Sequence, residues 1–248
     1  MLNIGTSGWQ YRDWKDDFYP PKLPQRLWLE HYAGHFPTVE VNNAFYRLPE
    51  RTTFEQWRER TPDGFLVAVK VSRYLTHVKR LREPAEPVAR FLQRAEALGD
   101  KLGPVLLQLP PTLRADLDAL DETLRQFGSH VRVVVEPRHD SWWTDECREL
   151  LERHGAALCW ADRRGRPVTP LWTTAGFGYL RLHEGRAQPW PRYGRAALKS
   201  WLERLSGVRE AFVYFNNDQH GAAVSDADTM SAMARRRGLT VRACASSN

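Results

Sequence analysis

Eight short apolar runs, most of them followed by a stretch of helical periodicity, constrain this chain more than any other feature. They fall at residues 2–6, 38–42, 65–70, 104–109, 131–136, 156–160, 179–183 and 211–215. These runs are nearly continuous in apolar residues, as strands of a parallel sheet covered on both faces must be. Between them, Val88, Phe91, Leu92, Ala95 and Leu98 recur at spacings of three and four, as do Leu117, Leu120, Leu124 and Phe127, and Leu198, Trp201, Leu202 and Leu205. That spacing marks amphipathic helices. Gly99 and Gly128 are expected to end two of them. Further helices are expected at about 25–35, from Thr52 or Thr53 to 60, at 144–154 and at 226–237. Strand–helix alternation means a parallel sheet under helices. Eight such units in 248 residues favour a closed (β/α)8 barrel, a TIM-like α/β fold spanning 1–248 as a single domain. Neither G-x-G-x-x-G nor G-x-x-x-x-G-K-[ST] occurs, so no nucleotide-cofactor motif is present.

In such a barrel the C-terminal strand ends converge on one face. Each run here closes on polar groups: Ser7; Glu40 and Asn42; Lys70; Gln108; Glu136, Arg138 and His139; Asp162; Arg181 and His183; Asn216, Asn217 and Asp218. The fifth run is the most pronounced. Valines at 131 and 133–135 favour a buried strand, and Pro137, lacking an N–H, stops it where the charges begin. Glu136 with His139 or His183 suits general acid–base chemistry. Arg138, Arg181 and Lys70 suit an anion such as phosphate, since guanidinium forks match its oxygens. Glu40, Glu136, Asp162, His183 and Asp218 form an alternative, divalent-metal set, although no short His-based ligand spacing supports it. The bland reading of the same charges is ion pairing on the barrel rim.

Composition narrows the partners. The net charge of +6 favours anionic ligands, phosphates or nucleic acid. Trp9, Tyr11, Trp14, Phe45, Tyr46, Trp142, Trp143, Trp172 and Trp190 cluster mostly in the loops after strands, where rings either stack on a ligand or roof the barrel. Three widely spaced cysteines without a C-x-x-C pair suggest reduced thiols and a cytoplasmic setting. Met1 runs directly into the first strand, and no run nears the ~18 apolar residues of a membrane span, so no membrane partner is expected.

Several motifs occur in an order that resembles the DUF72 (YecE-like) family. They are Gly5-Thr6-Ser7-Gly8-Trp9 with Tyr11, Trp14 and Phe18-Tyr19-Pro20; Glu40-Val41-Asn42-Asn43-Ala44-Phe45-Tyr46; Thr76-His77; and Gln108-Leu109-Pro110-Pro111. Glu136-Pro137-Arg138-His139 with Ser141-Trp142, Arg181-Leu182-His183, and Tyr214-Phe215-Asn216-Asn217-Asp218 follow. The resemblance implies a TIM-like barrel and supplies no activity, the family being named for having none assigned. Where the family has glycine, near Asp16 and directly after His183, this chain departs, with Glu184 preceding Gly185. The loop after the seventh strand is therefore expected to differ.

Together these features suggest a hydrolase or lyase with Glu136, His139 and Lys70 in catalytic roles. Ser7, Trp9, Tyr11, Glu40, Asn42, Tyr46, His77, Gln108, Arg138, Trp142, Arg181, His183, Asn216, Asn217 and Asp218 are expected to contact an anionic, phosphorylated ligand. The alternative is a non-catalytic nucleic-acid-binding barrel.

Overall fold

Strands that are apolar on both faces need cover on both, and this chain supplies it by closing its sheet on itself. The computed structural model describes residues 1–244. Its strands are β1 (Leu2–Ser7), β2 (Thr38–Val41), β3 (Leu66–Lys70), β4 (Leu102–Gln108), β5 (Val133–Glu136), β6 (Ala157–Arg163), β7 (Arg166–Pro167), β8 (Gly178–Leu182) and β9 (Ala211–Phe215). β7 is a two-residue arm antiparallel to β6. The other eight are parallel and closed: β1 through β6 pair in sequence, β6 pairs β8, β8 pairs β9, and β9 returns to β1. The fold is the TIM-like (β/α)8 barrel that the alternation predicts.

The outer layer holds α1 (Trp28–His35), α2 (Asn43–Tyr46), α3 (Arg51–Glu59), α4 (Ala85–Ala95), α5 (Leu117–Arg125), α6 (Asp145–His154), α7 (Arg195–Leu205) and α8 (Ala222–Arg236). Local chemistry sets their ends. Thr144 accepts from Cys147 N at 3.3 Å at the start of α6, and Gly155, at φ 58°, closes it in the left-handed region. Asp116 caps α5 through Ala119 N at 3.1 Å. Several expectations shift: α5 ends at Arg125, short of Gly128, and α8 begins at Ala222, before the expected 226. α4 stops at Ala95 and tightens into a 3-10 turn, Glu96–Lys101, so that Gly99, at φ 57°, lies beyond the helix. α2 and a π-helical turn, Tyr74–Val78, were not foreseen. Both are too short to show a periodic pattern.

The core has two parts. Leu66, Ala68, Leu106, Val134, Ala157, Cys159, Tyr179, Phe212 and Tyr214 form a cluster inside the barrel. The alternate positions, among them Val67, Val69, Val105, Leu107, Val133 and Val135, pack outward with the helices in a separate cluster. At the N-terminal end, Arg132 lies over the Phe212 ring, 4.9 Å from its centroid, and pairs with Glu210 at 3.3 Å. β5 accordingly begins at Val133, two residues later than the valine run suggests. All three cysteines are unpaired. Among the described residues no helix is long and apolar enough to cross a membrane.

Candidate functional site

Strand parity decides which side chains reach the barrel axis, because successive residues face opposite sides of the sheet. Leu66 and Ala68 belong to the interior cluster, so Lys70 follows them inward. The same count carries in Gln108 after Leu106, Glu136 after Val134, Arg181 and His183 after Tyr179, and Asn216 after Tyr214. At the C-terminal end the interior therefore changes from apolar to ionic.

Arg181, only 2 % exposed, lies between two buried carboxylates. Its Nε and Nη2 donate to Glu40 Oε2 and Oε1 at 3.0 and 2.9 Å, a bidentate fork. Its Nη1 donates to Glu136 Oε2 at 2.7 Å. Gln108 Nε2 donates to that same oxygen at 2.8 Å, and Lys70 Nζ donates to Gln108 Oε1 at 2.7 Å. One chain of bonds thus runs from Glu40 through Arg181, Glu136 and Gln108 to Lys70.

The two carboxylates are held differently. Glu40 Oε1 also accepts from Ser7 Oγ and, at 3.3 Å, from Asn42 Nδ2, while Tyr179 OH donates to Oε2 at 2.6 Å. Glu136 Oε2 is locked by Arg181 and Gln108, but Oε1 has only longer contacts, Arg138 Nη2 at 3.2 Å and His183 Nε2 at 3.4 Å. Arg138 and His183 are both partly exposed, so Oε1 lies on the more open side of a buried carboxylate.

Burial pushes the Glu136 carboxyl up, but Arg181, His183 and Arg138 together outweigh it and hold the group well below the usual carboxylate range. Burial likewise opposes ionisation of Glu40, and Arg181, Ser7 and Tyr179 overcome it. Lys70 goes the other way: burial, then the nearby Arg181, lower its ammonium to about 8 against the pull of Glu40 and Glu136.

A cleft of about 370 Å³ opens at this end, bordered by Glu136, Arg138, Asp140, Trp143, Arg163 and His183 among others. Lys70, Gln108, Glu136, Arg181 and Asn216 all face the same end of the barrel, and of these Glu136 borders the cleft. Gln108 and Arg181 stand behind it, bonded to its buried oxygen. A smaller cleft of about 180 Å³ lies between Trp9, Tyr11 and Asn42.

The remaining sequence-derived residues divide. Tyr11 OH donates to Ser7 O at 2.5 Å, and Trp9 is buried edge-on against Trp57. His77 pairs with Thr76 Oγ1 and meets the Phe45 ring edge-on at 4.9 Å. Tyr46 is 75 % exposed and outside the cluster. His139 Nδ1 accepts from Ser141 N, capping a short 3-10 turn, so its ring serves the loop, and His183 is the histidine beside Glu136. Trp142 is fully buried and donates to Leu113 O, which makes it part of the roof. Asn217 donates to Asp226 and to Pro191 O, away from the cleft. Asp218, raised by burial and then by Asp13, accepts from Trp14 Nε1 through its backbone oxygen. Asn42 and Asn216 keep buried side-chain oxygens without a partner among the described residues.

The five candidate metal donors do not assemble, and among the described residues no group of three or more His, Cys, Asp or Glu is placed to hold an ion. Arg181 fills the space between Glu40 and Glu136. Asp162 has the outward parity on β6 and is taken by Tyr193 OH at 2.6 Å and Trp201 Nε1 at 2.8 Å. Sequence reading missed Arg163 and Tyr179. Parity would have found both, since Arg163 follows Ala161 and Tyr179 precedes Arg181 on the same inward face.

Comparison with known proteins agrees with this fold. A family model described as "Protein of unknown function DUF72" matches residues 3–247. The chain is 24% identical over 267 residues to the UPF0759 protein YunF of Bacillus subtilis, covering 93% of each. It superposes on the crystal structure of a DUF72 family protein from Thermotoga maritima with a TM-score of 0.83 at 28% identity, over 95% of this chain and 99% of that one. A DUF72 family protein from Enterococcus faecalis shares the fold at a TM-score of 0.81 and 19% identity, over 100% of this chain and 99% of that one.

Proposed function

We propose, on the premise that this chain belongs to the DUF72 family, that its barrel mouth is a catalytic site for a small anionic, phosphorylated ligand. The reaction is a hydrolysis or an elimination driven by proton transfer. The asymmetry of Glu136 carries this reading: Oε2 is fixed by Arg181 and Gln108, while Oε1 meets only Arg138 and His183 at the edge of the cleft. An oxygen held this way accepts a proton without loss of its support. His183 Nε2 is placed to relay that proton. Arg138 and Arg163, on the same cleft, offer guanidinium forks to phosphate oxygens. Ligand binding would also tune the base. Arg138 is one of the groups holding Glu136 low, after Arg181 and His183, and an anion that neutralises it lets the carboxyl rise from that low value.

The aromatic residues favour this reading over a nucleic-acid-binding barrel. Trp9, Trp14 and Trp142 are buried, which removes them as stacking faces. The test is calorimetry with inorganic phosphate, followed by turnover assays on phosphorylated sugars and nucleotides. Phosphate binding that weakens in Arg138→Lys, with turnover lost in Glu136→Gln, supports the reading. Absence of phosphate binding at millimolar concentration and low salt overturns it.

A further inference from the structure

The acid–base reading leaves one inward-facing group without work. Lys70 ends β3 and is 8 % exposed. Its Nζ has one hydrogen-bond acceptor, Gln108 Oε1 at 2.7 Å, and lies 3.8 Å from the centroid of the Phe45 ring. It forms no ion pair among the described residues. The other buried lysine is a useful contrast. Lys101 Nζ donates to the carbonyls of Arg58 and Thr61 and to Thr61 Oγ1, so three acceptors surround it. Lys70 has one, and that one is pre-set: Gln108 gives its NH2 to Glu136, which turns Oε1 toward the lysine. A carboxamide oxygen holds an N–H of either the ammonium or the free amine, and so leaves the amine's lone pair unengaged.

We propose that Lys70 is an amine nucleophile that forms an imine with an anionic ligand bearing an aldehyde or ketone. This names the substrate class of the site described above and rests on that reading: Arg138 and Arg163 on the cleft would hold the ligand's anionic end, and its carbonyl would have to reach past the cleft border to Lys70, which stands behind Glu136 and Gln108. The Lys70 nitrogen adds to the carbonyl carbon, and a proton passes from nitrogen to oxygen through water to give a carbinolamine. The hydroxyl then leaves as water after taking up a second proton, and the nitrogen lone pair completes a protonated C=N bond. Burial favours the free amine needed for the first step, and the Glu136–His183 pair is then available for proton transfer at the carbon next to the iminium.

Reductive trapping of the full chain with glyoxylate, a small anionic aldehyde, and cyanoborohydride tests this. The hydride converts the imine to a stable carboxymethyl amine, located by peptide mass spectrometry. Lys70 is expected to react at least about tenfold faster at pH 7.5 than the exposed Lys15, Lys22 and Lys199, since a lower pKa raises the free-amine fraction tenfold per unit. Its rate is expected to level off above pH 8. Lys70→Arg removes this adduct alone. Labelling of the exposed lysines with Lys70 untouched overturns the proposal, as does a Lys70 rate that still climbs at pH 10. Calorimetry of the unlabelled protein with inorganic phosphate reports on the anion site separately. Phosphate binding with an unreactive Lys70 overturns the imine and spares the acid–base reading. A reactive Lys70 without phosphate binding supports its nucleophilicity and removes the anion site.

Discussion

Glu40 and Glu136 are both buried, both ionised and both bonded to Arg181, yet they stand in different surroundings. Glu40 has every oxygen position filled, by the Arg181 fork, Ser7, Asn42 and Tyr179. Glu136 is filled on one oxygen and loosely held on the other, at the edge of the 370 Å³ cleft. A saturated carboxylate can only hold the barrel together. One with an oxygen to spare can hold and react. Burial and a lowered pKa are common to both, so neither property alone separates a structural acid from a functional one.

The severest way to break the comparison is to remove the cation both acids share. Arg181→Met leaves two buried carboxylates uncompensated, and a loss of about 3–5 kcal/mol is expected, more than removal of either acid alone. In a chain of this size that is a fall in melting temperature of roughly 10 °C. An unchanged melting curve would mean that the cluster is hydrated and carries little stability.

The two histidines sharpen the functional half. His183→Gln is expected to lower turnover by about 10²–10⁴-fold at nearly unchanged stability, through loss of the proton relay beside Glu136. His139→Gln disturbs a cap instead, and about 1 kcal/mol or less of stability is expected to go while turnover stays. Steady-state kinetics on the phosphorylated substrate found by screening, with parallel melts, distinguishes them. Reversed effects would return catalysis to His139. Arg138→Lys keeps charge but loses the fork, and phosphate binding by calorimetry is expected to weaken by about 1–3 kcal/mol. Equal affinity would leave Arg138 as a rim ion pair.

The smallest effect is on stability against pH. Glu40 and Glu136 have folded values below their unfolded ones, so their contribution is complete above about pH 5 and is lost as pH falls from there through the folded values. Asp226 has the opposite sign. Burial raises it to about 6, so its protonation favours the folded state as pH drops from 7 toward 5. Melts across this range should be flat or rise slightly with acid before they fall below about pH 5, and Asp226→Asn should reduce the rise, Asp162 and Asp218 sharing its sign. A steady decline from pH 7 would contradict the assignment.

These contrasts also show what the sequence could and could not reveal. The barrel was legible because it follows from local rules: apolar runs of strand length, amphipathic helices between them, and a polar residue wherever a strand reaches the mouth. That His183 and not His139 lies beside Glu136 was left open by the sequence, because Glu136, Arg138 and His139 are adjacent in the chain and adjacency suggests a site. Position along a strand decides instead. His183 lies two residues after Arg181 and so shares its face, whereas His139 lies beyond Pro137, in a loop whose turn recruits its ring. The saturation of Glu40 was hidden for another reason. Its partners Ser7, Tyr179 and Arg181 lie 33, 139 and 141 residues away in sequence, and only barrel closure makes them neighbours. Trp142, in the same way, looks like a loop ring in sequence and becomes part of the roof once its indole N–H meets Leu113 O, 29 residues away.

Paired thermal melts of Glu40→Gln and Glu136→Gln test the central claim most directly. Each substitution removes one charge from Arg181 and keeps side-chain shape. Glu40→Gln must turn an amide NH2 toward donors on a filled oxygen, and is expected to cost about 3 kcal/mol. Glu136→Gln can keep its carbonyl toward Arg181 and Gln108 and point its NH2 into the cleft, so its melting temperature is expected to stay within a few degrees of the parent. Equal losses in the two variants, or the larger loss in Glu136→Gln, would show that Glu136 is a structural acid like its neighbour.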